Sequence, residues 1–257
     1  MKKYLLPILA LMLMVSCAQT QPEGSTLALS NQEIESPVNS KMKIEIWSDV
    51  MCPFCYIGKR RIEAALAEFP QRDSIEIEWK SYQLNPDMIT DPSKSVHQYL
   101  VENKGISLQQ AKEMNAYVTE MAKAAGLIYN LDKAIVANSM KAHRFSHFAK
   151  SKGKQDEAEE LLFKAYFTDG KNTDDIEVLL QIAAELGLDR EETRKMLESD
   201  AYKAEVDQDI YEASNIEVSG VPFFVFDDKY SISGAQDVKV FINALERSFA
   251  EWRAGLN

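Results

Sequence analysis

Strand-like patterning is confined to two stretches near the ends of the folded part of this 257-residue chain. That placement restricts the architectures it can adopt. Lys43-Ile44-Glu45-Ile46-Trp47-Ser48 alternates in polarity, and Ile75, Ile77 and Trp79 alternate with Glu76, Glu78 and Lys80. Between them, Pro53 opens a helix that runs to about Phe69, with Ile62, Ala65, Leu66 and Phe69 on its apolar face. Proline is tolerated in a first helical turn, where its missing N–H would have had no partner. Strand signals return only at Phe223-Phe224-Val225-Phe226 and, after a turn at Asp227-Asp228-Lys229, at Tyr230-Ser231-Ile232. A last helix, about 236–253, is amphipathic through Val240, Phe241, Ala244, Leu245 and Phe249. Neither pair of strands could bury its faces alone. The pattern therefore predicts one α/β sheet assembled from both ends, with a large all-helical insertion between a βαβ half and a ββα half.

Cap residues outline the insertion. Ser107 with Gln110 forms a capping box, and Gly126 ends that helix. Asp132 is expected to start the next helix, which stops at Gly153. Leu161, Leu162, Ala165 and Tyr166 give another helix its apolar face. Asp174 with Glu177 starts a further one that ends at Gly187, and Asp189 with Glu192 starts one more. The expected segments are 42–92 and 206–257 for the sheet-bearing domain and 93–205 for the insertion.

The amino terminus carries an address. Lys2 and Lys3 precede an apolar run from Tyr4 to Val15. That run is too short for a bilayer core, which takes roughly 20 residues, but it suits a secretory signal. Met14-Val15-Ser16-Cys17 resembles the lipobox of bacterial lipoproteins. The resemblance implies cleavage of residues 1–16, lipidation of Cys17 and a flexible tether over 17–41, rich in Ser, Gln, Glu and Pro. A plain secretory signal is the alternative. The expected location is an exported, periplasm-facing lipoprotein anchored in the outer membrane, since Ala18 follows the cysteine. Loss of the leader takes two lysines from a net charge of −11 and leaves −13. So acidic a chain repels phosphate backbones, and nucleic acid is excluded as a partner.

Cys52-Pro53-Phe54-Cys55 sits at the junction of the first strand and its helix. Two cysteines at this spacing can close a small disulfide in a first helical turn. Unpaired N–H groups and the helix dipole favour an anion there, so Cys52 is expected to gain thiolate character and to be the attacking and leaving sulfur. Cys55, one turn inside, is expected to resolve the mixed disulfide. Three alternatives compete: a structural disulfide, a zinc site that would draw on His143 and His147, and a redox fold that has lost activity. A four-residue loop stabilises little by closure. The distance in sequence from Cys55 to His143 does not fit a zinc finger. The two histidines are expected to be surface or partly buried, and Lys59, Arg60 and Arg61 to form a solvated face. Asp49 would oppose thiolate formation if it pointed inward.

The chain as a whole resembles the DsbA-type thioredoxin family, and within it the FrnE-like branch. The resemblance rests on Ser48-Asp49-Val50-Met51-Cys52-Pro53-Phe54-Cys55-Tyr56-Ile57-Gly58 and Tyr82-Gln83-Leu84-Asn85-Pro86. It continues through Asn138, Ala142-His143-Arg144 and Ala165-Tyr166-Phe167 to Gly220-Val221-Pro222-Phe223-Phe224-Val225 and Ile232-Ser233-Gly234-Ala235-Gln236. It implies a thioredoxin fold with a helical insertion and a cis bond between Val221 and Pro222 lying against the cysteines. It also implies a protein disulfide oxidoreductase or isomerase acting on protein thiols and disulfides, with a redox partner protein or small thiol and with neither cofactor nor metal. Pro53, Phe54, Val221 and Pro222 would form the substrate ledge, reached by strand addition and apolar contact. The 2-hydroxychromene-2-carboxylate isomerases and kappa-class glutathione transferases share the architecture but carry serine in place of Cys52. A glutathione-dependent transferase or isomerase, and a chaperone-like binding lipoprotein, are the alternative functions. Phe54 stands where the better-known oxidases have histidine, which implies a less oxidising pair.

Overall fold

The computed structural model describes residues 40–256. The expected signal, Cys17 and all but the last two residues of the tether lie outside the described residues. The chain begins with β1 (Met42–Ser48), α1 (Pro53–Glu68) and β2 (Ile75–Ser81). The insertion then runs through β3 (Asp91–Ser95), α2 (Val96–Lys104), α3 (Leu108–Ala124), β4 (Ile135–Val136), α4 (Met140–Ser151) and α5 (Gln155–Phe163). A π-helical turn at Lys164–Thr168 leads to α6 (Ile176–Glu185), α7 (Arg190–Glu198) and α8 (Lys203–Asn215). β5 (Phe223–Phe226), β6 (Tyr230–Ser233) and α9 (Val238–Ala254) complete the described chain.

The main sheet has the order β2-β1-β5-β6. β1 and β2 are parallel, with Ile44 opposite Ile77 and Ile46 opposite Trp79. β5 runs antiparallel to β1, and β6 antiparallel to β5. This is a thioredoxin-like α/β fold with an insertion between its halves. β1 is central and covered on both faces. Met42, Ile44 and Ile46 pack with Ile57 and Ile62 of α1 and with Phe241 and Leu245 of α9. Burying each such side chain stabilises the fold by roughly 1.5–3 kcal/mol. On the other face Trp47 packs with Ala213 of α8 and Val218, and its indole N–H donates to the Asp209 carbonyl at 2.9 Å. Alternation in 43–48 therefore does not mark a solvent face. Glu45 is buried as well, and pairs with Lys43 at 3.1 Å and Lys80 at 3.5 Å.

Several expectations need correction. The insertion is not all helical: β3 and β4 pair antiparallel within it. The helix after Gly126 begins at Met140 and not near Asp132, because Ile135 and Val136 are taken by that pairing. Asn138 sets its start, donating to Met88 O at 2.8 Å and accepting from Met140 N at 2.9 Å. Asp175, not Asp174, caps α6, accepting from Glu177 N at 2.8 Å. Asp174 instead ties Thr90 to Lys141, at 2.6 and 2.8 Å. The expected segment borders at 92/93 and 205/206 fall inside β3 and α8. Val240 is exposed, whereas Phe241, Leu245 and Phe249 face the core. Among the described residues no helix is long and apolar enough to cross a membrane.

Candidate active site

Cys52 occupies the N-cap of α1 in extended conformation, with Pro53 as the first helical residue. Its N–H donates to Asp49 O at 2.9 Å, and Cys55 N donates to Cys52 O at 3.0 Å. The Cys52 side chain does not cap the helix. Its thiol donates instead to Val221 O at 3.4 Å. Both cysteines are free thiols in this structure. Cys52 lines a cleft, while Cys55 is wholly buried behind it. Burial pushes the Cys55 thiol well up, and the adjacent Cys52 pushes it further. Ser48 and the backbone of Asp49 oppose that push. Ser48 Oγ nonetheless closes no hydrogen bond of ordinary geometry.

The Val221–Pro222 peptide is cis, and Gly58 lets α1 approach it. A Cβ on Gly58 would lie 2.9 Å from Pro222 Cγ and 3.2 Å from Phe224 Cζ. Pro222 is accordingly buried against α1, whereas Val221, Pro53 and the exposed ring of Phe54 border the cleft. The cleft encloses about 860 Å³. Its far wall comes from the insertion, through Tyr99 and Leu100 of α2 and Met114, Asn115 and Val118 of α3. Tyr166 and Phe167 of the π-helical turn close one side. π-helical turns inside α-helices recur at functional sites.

An aromatic stack supports the first turn of α1. Tyr129 stacks on Phe167 with ring centroids 4.6 Å apart, and Tyr56 on Phe163 at 5.1 Å. The Tyr129 hydroxyl donates to Pro53 O at 2.6 Å, and that of Tyr56 to Glu160 at 2.6 Å. Burial, then the nearby Cys52 and Cys55, hold the Tyr129 phenol far above its usual range. Sequence patterning missed Tyr129, because it lies between helices where no periodicity marks it.

The charged residues of α1 are not a solvated face. Lys59 is only 2% exposed and lies 3.0 Å from Asp156 and 3.7 Å from Glu160, with Glu63 in contact as well. Burial alone would discharge it, but Asp156 and Glu63 outweigh burial and hold its ammonium above the usual value. Arg60 pairs with Glu63 at 2.7 Å and with Glu160, and Arg61 donates to Ala235 O. Lys59 and Arg60 are thus paired with carboxylates of α5 and of α1 itself, whereas Arg61 is held by a backbone carbonyl.

Asp49 does point inward. It is fully buried, and its carboxylate accepts from Met51 N at 3.2 Å and from Leu84 N at 2.7 Å. His143 and His147 are buried too, contrary to expectation, because α4 runs through the middle of the insertion. His143 Nε2 lies 3.6 Å from Asp49 and His147 Nε2 2.9 Å from Asp209. Each histidine is thus turned to its own carboxylate. Among the described residues no group of three or more His, Cys, Asp or Glu side chains is placed to hold a metal.

A parallel βαβ start, two buried thiols of which the first lines a cleft, and a cis-proline whose preceding carbonyl meets that thiol define a thioredoxin-type dithiol site. Residues 43–246 match the profile of the DSBA-like thioredoxin domain, and the chain belongs to that family. A probable DsbA oxidoreductase from Streptomyces coelicolor is 37% identical with a TM-score of 0.77, over 82% of this chain and 91% of that one. The uncharacterized protein YwbO of Bacillus subtilis is 28% identical over 216 residues, 79% of this chain and 94% of its own length. A 2-hydroxychromene-2-carboxylate isomerase shares the fold at 18% identity and a TM-score of 0.61, over 84% of this chain and all of its own.

Proposed function

We propose that this protein is an exported thiol:disulfide oxidoreductase that exchanges disulfides with protein substrates through Cys52 and Cys55. The observation that carries this reading is the division of the two sulfurs, with Cys52 at a helix N-terminus on the cleft and Cys55 shielded one turn behind. A helix N-terminus favours negative charge, so a thiolate at Cys52 is supported where a substrate can reach it.

In the reducing direction the Cys52 thiolate attacks a substrate disulfide. One substrate sulfur joins Cys52 in a mixed disulfide, and the other leaves as a thiolate that takes a proton. Cys55 then loses its proton and attacks Cys52. The Cys52–Cys55 disulfide forms, the second substrate sulfur is released, and the substrate has gained two electrons from the protein. Reversing the steps oxidises a substrate dithiol. After substrate reduction a small thiol or a reduced partner protein returns two electrons to the pair; after substrate oxidation a disulfide of a partner protein or of a small thiol takes two electrons from it. The apolar cleft beside Phe54 and Val221 would accept an extended substrate segment. Cys17 would carry the lipid that holds the domain at the periplasmic side of the outer membrane.

Insulin reduction and dithiol oxidation by the full-length protein test the chemistry. A Cys52→Ser variant should fall to the background rate, and Cys55→Ser should accumulate mixed disulfides. Full activity in Cys52→Ser would refute the reading. Metabolic labelling with palmitate tests the anchor: label should enter the wild type and be lost in Cys17→Ser, and an unlabelled wild type would remove it.

A further inference from the structure

Three buried side-chain atoms among the described residues lack a hydrogen-bond partner: Ser48 Oγ, His143 Nε2 and Glu159 Oε2. Leaving a polar atom unbonded in the interior costs about 1–3 kcal/mol, so each such atom calls for a reason. Ser48 faces Cys55. His143 faces Asp49 at 3.6 Å, an ion-pair distance too long for a hydrogen bond.

Asp49 gives His143 its significance. Through Met51 N and Leu84 N its carboxylate ties the turn before Cys52 to the loop after β2. It does so as a buried anion three residues from the attacking sulfur, and a like charge close by opposes a thiolate. The acidic groups that face His143 are Asp49 after β1, Glu159 on α5, whose carboxyl burial pushes up, and Asp209 on α8. His147 lies one turn along α4 and is engaged with Asp209. Cys55 on α1 and Tyr166 on the π-helical turn are held in their neutral forms by burial. His143 is therefore placed to carry the countercharge to Asp49.

We propose that His143 is a positioning residue for the redox pair: as an imidazolium it cancels the Asp49 charge, permits negative charge on Cys52, and links sulfur reactivity to a proton held by the insertion. This rests on the reading of Cys52 as the attacking sulfur. Burial alone would lower the His143 pKa, but contact with Asp49 outweighs it and leaves the imidazole above its ordinary value.

The linkage is reciprocal: a cation that favours the sulfur anion must itself be favoured by that anion. The His143 imidazole, followed by NMR in the full-length wild-type chain, should titrate at a higher pH with the cysteines reduced than with them joined as a disulfide. Iodoacetamide alkylation of Cys52 near neutral pH should slow roughly three- to tenfold in His143→Gln. Alkylation should recover in Asp49→Asn/His143→Gln, where both charges are gone. Equal titration midpoints in the two redox states would overturn the proposal, as would a His143→Gln alkylation profile superimposed on that of the wild type. If His143→Gln does not fold, the wild-type titration decides alone. A wild type that shows the linkage yet exchanges no disulfides would defeat the oxidoreductase reading and leave this one standing.

Discussion

One turn of α4 separates two histidine–carboxylate pairs of opposite finish. His147 Nε2 lies 2.9 Å from Asp209 and 3.1 Å from Ser81 Oγ. Asp209 also accepts from Ser81 N at 2.8 Å and pairs with Lys80 at 3.3 Å. His143 and Asp49 stand 3.6 Å apart, and the imidazole Nε2 has no hydrogen bond. The same residue types on the same helix thus do different work. The satisfied network fixes α4 and α8 to the sheet, as closed buried networks do. The looser pair includes Asp49, whose backbone carbonyl accepts from Cys52 N, at the turn that precedes the cysteines.

The largest effect should come from cutting the satisfied network. Asp209→Ala strips partners from His147, Lys80 and Ser81 N, and should cost about 3–5 kcal/mol of stability. The guanidinium midpoint should fall, while Cys52 alkylation at neutral pH should change less than in His143→Gln, because Asp49 and not Asp209 is the main partner of His143. An equal change of alkylation in a folded Asp209→Ala would erase the contrast between the two pairs.

A smaller effect should appear in acid. Burial alone would raise the Glu78 carboxyl, but Lys150, Lys80 and Lys43 outweigh it and pull its pKa down to about 2. The folded value lies below the unfolded one, so the contribution is complete above pH ~4.5 and is lost as pH falls toward 2. On the order of 1–3 kcal/mol should disappear over that window after solvent screening. Denaturant melts across it should be flatter in Glu78→Gln. An equal slope in both proteins would show that the lysines around Glu78 add nothing to stability.

The two halves of the sheet, the helix opened by Pro53 and the capping box at Ser107 and Gln110 were legible because each follows from local chemistry. Alternation marks strands, proline suits a first turn, and a hydroxyl with a glutamine three residues on caps a helix. Cys52 and Cys55 stood out for the same reason, as a spacing at a strand–helix junction. What stayed hidden depends on partners distant in sequence. Lys59 looked solvated because α5, which covers it and brings Asp156 and Glu160 to join Glu63, lies about a hundred residues away. His143 and His147 looked peripheral because Asp49 and Asp209 are brought to them only by packing. Asp132 looked like a cap because nothing local shows that Ile135 and Val136 pair with β3. Two adjacent aspartates, Asp174 and Asp175, could not be ranked as caps until Lys141 and Thr90 claimed the first.

α2 buries none of its residues, yet it is pinned at both ends, by a capping box at Ser95 and by Gly105 in left-handed conformation with φ 64°. Its residues Tyr99 and Leu100 form part of the cleft wall supplied by the insertion. On the proposed function, contacts with an extended client and the chemistry of the sulfurs would then reside on separate parts. Substitutions on the outer face of α2 would change which segments fit without touching the buried groups beneath the cysteines.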